Sequence, residues 1–151
     1  MKIQFKISDI LDIIKEDVSR LGARSYSEDG ASLYDGIKIT SRDEGVLSRT
    51  LEERDARLRE FLVFCLDPTA SADDYLDYNF LDSEVSGAIA APLKVLLRKY
   101  LTEGVLYDWY TKHGIASSIT IENIEDMENN IVCMIRQGFV KKPLQPFGPQ
   151  H

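Results

Sequence analysis

Apolar residues recur at steps of three and four along four stretches of the chain, and each stretch predicts a helix. In the first, Ser8 to Leu21, the stripe is Ile10, Ile13, Ile14, Val18 and Leu21. Ser8 suits the N-cap, Asp9 the positive end of the helix dipole, and Gly22 the left-handed residue that stops a helix. The second opens with Ser41 and Glu44, an S-x-x-E capping box, and is expected to run to about Leu66 because Asp67-Pro68 cannot continue it. Its stripe is Leu47, Leu51, Leu58, Phe61, Leu62 and Cys65. Val63 and Phe64 widen it, so this end is expected to be the more deeply buried one.

In the third stretch Ile89, Leu93, Leu97, Leu101, Val105 and Trp109 follow one another at steps of four. Pro92 interrupts it: either a short helix ends near Ala90 and a new one carries Pro92 in its first turn, or a single helix kinks there. His113-Gly114 marks the stop after Lys112. The fourth helix is expected from Thr120 to Gln137, with Ile124, Met127, Ile131, Met134 and Ile135 inward and Gly138 as its C′ residue.

The intervening segments carry weaker signals. Ile3 and Phe5 alternate with Lys2, Gln4 and Lys6, which fits a short edge strand. Residues 23–36 read as a loop, 37–40 as a short extended piece, and 67–82 as an acidic loop holding aromatic residues. Three prolines among the eleven residues from Lys141 exclude a helix and predict an extended arm. The fold class expected is all-α: a bundle of long antiparallel helices over residues 1–140, with a short N-terminal strand and an arm over 141–151.

With 151 residues, 44% of them hydrophobic, the chain can build one core without disulfides or a structural metal. Asp and Glu number 25 against 18 Lys and Arg, a net charge of −7, which disfavours binding nucleic acid by broad phosphate neutralisation. Two cysteines are too few for a secreted disulfide framework and suggest a reducing compartment. The N-terminal residues place acids where a signal peptide needs its apolar core, and no run approaches a membrane span.

Candidate chemistry is sparse. Cys65 and Cys133 lie on apolar stripes and read as buried thiols; with only His113 and His151 beside them, a zinc site of ordinary spacing is not encoded. Asp73, Asp74, Asp77 and Asp82 could surround a calcium ion, or form a solvated loop, the reading that the missing EF-hand pattern favours. There is no GxGxxG, P-loop or GxSxG. No cofactor or catalytic set follows, and the chain is not expected to be an enzyme. Basic pairs stand at Arg98-Lys99 and Lys141-Lys142. In Tyr107-Asp108-Trp109-Tyr110 the tryptophan continues the core stripe, while Tyr107 and Tyr110 either snorkel or meet another chain. Leu144 and Phe147, three apart in the arm, could present one face to a partner, with Lys141 and Lys142 meeting acids there; the plainer alternative is a frayed tail.

The second half, LKVLLRKYLTEGVLYDWYTKHG followed by an amphipathic helix ending in MIRQGFVKKPLQPFG, resembles small proteins encoded beside structural genes in phages and prophages of Bacteroides-type bacteria. The segment LYDGIKITSRDEGVLSRTLEERDARLREFL, residues 33–62, resembles their central long helix and its entry. By helical layout these proteins resemble head–tail connectors, also called adaptors or neck ring proteins. The resemblance implies a homo-oligomeric ring, usually twelve-fold, below the portal in the virion neck, assembled in the host cytoplasm. Its partners would be itself, the portal and other neck or tail proteins, with DNA only as passing cargo and no membrane. Negative charge suits a conduit to which the duplex must not stick. A DNA-packaging or regulatory accessory protein is the alternative, but it would need a basic face, and the arginines of residues 41–66 are interleaved with acids.

Overall fold

A computed structural model describes residues 1–24, 41–68, 71–82 and 84–139. In chain order the elements are β1 (Lys2–Lys6), α1 (Ile7–Arg24), α2 (Ser41–Phe61), β2 (Tyr75–Asn79), α3 (Ala90–Lys112) and α4 (Ile121–Gln137). A 3-10 turn at Gly87–Ile89 leads into α3. The protein is mostly helical with a small two-stranded antiparallel sheet. None of these helices is long and apolar enough to cross a membrane.

Helix α3 holds the centre, packed against α1, α2, α4 and β1. Its sequence explains the position. Leu93, Leu97, Leu101, Val105 and Trp109 form the expected stripe, and Tyr100, Leu106 and Tyr110 are buried on flanking faces, so one partner could not cover it. Pro92 falls in the first turn of α3, after the separate 3-10 turn, where its missing N–H costs no helical hydrogen bond. At the other end Gly114 takes φ +64°, the left-handed conformation that glycine tolerates best, and α3 stops at Lys112 as expected. Helix α4 begins on a capping box in which Thr120 and Asn123 satisfy each other's backbone N–H groups.

Several expected boundaries move. Helix α1 starts at Ile7, which places Ser8 inside it, and runs past Gly22 to Arg24. Helix α2 ends at Phe61 rather than Leu66, because residues 62–65 form a turn and Leu66 bridges Phe80, with Asp67 N–H donating to Asn79 O at 2.7 Å. The turn buries Leu62, Cys65 and Leu66 but turns Val63 and Phe64 out, 74% and 45% exposed, so the end of this segment is not uniformly deep. Cys133 is exposed on α4: it stands two positions from both Ile131 and Ile135, about 200° round the helix from the buried set Ile124, Met127, Ile131 and Ile135. Gly138 caps α4 at φ −88°, not in the left-handed region; a Cβ there would stand 2.6 Å from Ile89 Cδ1, so close packing is what requires glycine.

The largest correction concerns residues 67–82. What reads as an acidic loop contains β2, paired with β1 in the register Ile3↔Tyr78 and Phe5↔Leu76. Ile3, Phe5, Leu76 and Tyr78 are buried, and the Phe5 and Tyr78 rings meet edge to face. The loop expected at 23–36 gives up its first two residues to α1, which runs to Arg24; the rest of it, the extended piece expected at 37–40, the arm expected at 141–151 and the Ser41 side chain of the capping box lie outside the described residues. Glu44 accepts from Lys15 Nζ at 2.7 Å, an ion pair joining α2 to α1.

Candidate functional site

The polar side of α2 carries the chemistry. Residues 54, 55, 57 and 59 project toward α3, α4 and the sheet, and each finds a fixed partner. Arg54 reaches across α3 to donate from Nε and Nη2 to the two Asp108 oxygens at 2.8 and 2.9 Å. It can pass because residue 104 is glycine: a Cβ would sit 2.8 Å from Arg54 Cδ. Burial works against the Arg54 charge, but the Asp108 and Tyr100 hydrogen bonds outweigh it and hold the guanidinium above its ordinary pKa. Tyr100 in turn donates to Glu128 at 2.8 Å, and Arg57 donates to the same carboxylate at 3.1 Å. Burial pushes the Tyr100 hydroxyl up to about 12. One chain of charges therefore ties α2, α3 and α4.

A second cluster ties α2 to the sheet. Arg59 donates from Nε to Asp55 at 3.1 Å and from Nη2 to Ser71 Oγ at 2.9 Å and Asp77 O at 2.8 Å. Its guanidinium carbon lies 4.6 Å from the centroid of the Tyr78 ring, and Tyr78 donates to Asp55 at 2.6 Å. Burial, with the Asp55 charge behind it, raises the Tyr78 pKa well above the usual phenol value, so this hydroxyl remains a donor. Asp77 is buried on the sheet and accepts from Ala72 N–H at 2.8 Å and Gln4 Nε2 at 2.6 Å. The Ala72 bond, with help from Gln4 and Lys2, holds its carboxyl below the ordinary range.

Between this cluster and the turn after α2 lies a cleft of about 430 Å³, lined by Asp55, Arg59, Val63, Leu66, Asp67, Pro68 and Ser71. Its size suits a small ligand or one side chain of a partner. Its charged lining is already paired across the chain, so the cleft offers shape and an apolar wall more than free charge.

No protein-family model matches the chain, and no curated protein or solved structure matches it either. The chemistry on the surface is thus what speaks for function. Of the expected contact residues, Tyr107 is half-buried and Tyr110 is buried, its ring edge to face with Trp109 at 5.6 Å; Tyr110 is taken up by its own core. Lys141, Lys142, Leu144 and Phe147 lie outside the described residues. Trp109 is core, as its stripe requires, and stacks on His113 at 4.1 Å.

The four acids considered for calcium do not converge: Asp77 turns inward and Asp82 pairs with the chain's amino group. Among the described residues no cluster of three or more His, Cys, Asp or Glu is placed to hold a metal. Sequence reasoning missed the Arg54–Asp108 and Arg59–Tyr78–Asp55 clusters. The available signals were Gly104 inside a helix, which marks a close approach, and the alternation Leu76, Tyr78, Phe80, which marks a strand.

Proposed function

We propose that this chain is a structural subunit of a phage head–tail connector, a ring-forming protein without enzymatic activity that extends the DNA channel below the portal and docks tail components. The observation that carries the proposal is the way the arginines of α2 are spent: Arg54, Arg57 and Arg59 each pair with an acid of the same chain. The charges serve as internal struts, and a net charge of −7 suits a wall past which DNA slides. On this reading the long helices stand side by side around the ring, and Lys141, Lys142, Leu144, Phe147 and Tyr107 supply contacts to neighbours or to the portal.

Electron microscopy of the purified protein, alone and mixed with a portal from the same genome, tests the proposal. A closed ring of about twelve copies, free or seated on the portal, is expected. A monomer that binds no portal under either condition refutes it.

A further inference from the structure

The two edges of the sheet are finished differently. On the outer edge of β2, Asp77 N–H donates to Ser71 Oγ at 3.0 Å, Asp77 O accepts from Arg59 at 2.8 Å and Asn79 O accepts from Asp67 N–H at 2.7 Å. Tyr75 N–H closes the same edge by donating to Ala72 O at 3.1 Å. Strand β1 has no such cover. Met1 O accepts from Phe80 N–H at 2.7 Å and Ile7 N–H donates to Asp74 O at 3.0 Å, so the odd positions face β2 and the even ones face away. Lys2 and Gln4 therefore turn their backbone N–H and C=O groups outward, together with the Lys6 N–H. Among the described residues no hydrogen bond reaches these groups. A row of unpaired strand groups is a template for another strand.

Beside that edge lies a groove of about 150 Å³, bordered by Gln4, Phe5 and Lys6 of β1, Ile13 of α1, and Lys94 and Arg98 of α3. It has room for one side chain rather than a small-molecule ligand. Its rim is basic, although the chain carries a net charge of −7. Lys94 Nζ stands 6.0 Å from the centroid of the Phe5 ring. Lys6, Lys94 and Arg98 are all exposed, and none forms an ion pair among the described residues. Against these three cations the described lining sets one acid, Asp9.

Charge selects the occupant. Two copies of β1 paired antiparallel about Gln4 would set each Lys2 opposite a Lys6, a like-charge contact at both ends. A strand carrying carboxylates meets the opposite situation, with its backbone on the open edge and its charges among unpaired cations.

We propose that the free edge of β1 is the docking site for an extended acidic segment of a partner protein. The segment adds as a third strand, seats one side chain in the groove and brings its carboxylates to Lys6, Lys94 and Arg98. The inference goes beyond the connector reading and stands whether or not a ring forms.

Amide hydrogen exchange, followed by NMR on the full-length chain, tests it. The probe is a seven-residue peptide of alternating Glu and Val with both ends blocked. At saturation it should slow exchange of the Gln4 and Lys6 amides about ten-fold or more. The same peptide with its backbone nitrogens methylated keeps the charges and side chains but cannot pair, and should give no protection. A peptide of alternating Lys and Val should give none either. In the chain carrying Lys94→Glu and Arg98→Glu, the acidic peptide should bind about ten-fold more weakly.

Gln4 and Lys6 amides that are unchanged by the acidic peptide refute the proposal. Equal protection by the methylated peptide overturns strand addition in favour of charge attraction alone, and equal protection by the Lys–Val peptide overturns the acidic preference. Protection of both amides before any peptide is added, deepening with protein concentration, overturns the proposal in favour of a second copy as occupant.

Discussion

Gly104→Ala sets two effects of similar size against each other. In the middle of α3, alanine gains about 1 kcal/mol of intrinsic helix stability over glycine. The new Cβ, however, would lie 2.8 Å from Arg54 Cδ and 3.0 Å from Nε, so the arginine must withdraw. Withdrawal forfeits the paired hydrogen bonds to Asp108 and the contact with Tyr100. Hydrogen bonds to charged partners contribute about 1.5–3 kcal/mol, and partial solvent access to this pair brings the loss down to about 2 kcal/mol.

The substitution should therefore destabilise the protein by about 1 kcal/mol, near 2–4 °C in thermal midpoint for a chain of this size. With Arg54→Ala already present, the same change should stabilise by about 1 kcal/mol, giving a coupling of about 2 kcal/mol. Urea unfolding of the four proteins measures it, provided the m-values agree. If Gly104→Ala has the same sign and size in both backgrounds, Arg54 moves aside freely and the glycine is not there to admit it.

The thiols should separate: a thiol reagent under native conditions modifies Cys133 quickly and Cys65 only on unfolding, and fast reaction of both would show the turn at 62–65 to be open. Correspondingly, Cys65→Ala should cost about 1 kcal/mol and Cys133→Ala less than about 0.5 kcal/mol in urea titrations. Asp77, with its folded pKa held below the unfolded value, contributes stability that is complete above the unfolded carboxylate pKa of about 4 and is lost as pH falls through the lower folded one. The wild type should thus lose urea resistance more steeply than Asp77→Asn between pH 5 and 2, and parallel curves would contradict the assignment.

Helices α1, α3 and α4 were readable because a 3.6-residue period needs only local sequence, and their buried residues are largely those of the stripes. The second strand was hidden for the opposite reason. The alternation over Lys2–Lys6 pointed to β1, but its partner Tyr75–Asn79 places Asp77 among apolar residues, so β2 does not announce itself until it is found paired with β1 some seventy positions away. Asp77 is buried because Ala72 and Gln4 supply its donors, and Arg54 is half-buried because Gly104 and Asp108 lie opposite it; such pairings depend on tertiary placement that periodicity does not carry. Cys133 shows the same limit at finer scale. Two residues from both Ile131 and Ile135, it lies on the opposite face of the helix, so a place within a run of apolar letters is not a place on the stripe.

The separation of β1 from β2 bears on how the chain is made. Residues 1–24 emerge from a ribosome before the elements they pack on: the strand that pairs with β1 and the helix that covers α1 are completed only near Lys112. At about 5–20 residues per second, the nascent segment waits roughly 4–18 s with Ile3, Phe5, Ile10, Ile14 and Val18 unburied. Asp9, Asp12 and Glu16 line the outer face of α1 throughout that interval, and such charges beside an apolar stripe discourage intermolecular pairing. The two-stranded sheet is therefore a late closure, and the acids of α1 guard its apolar stripe until α3 has been translated.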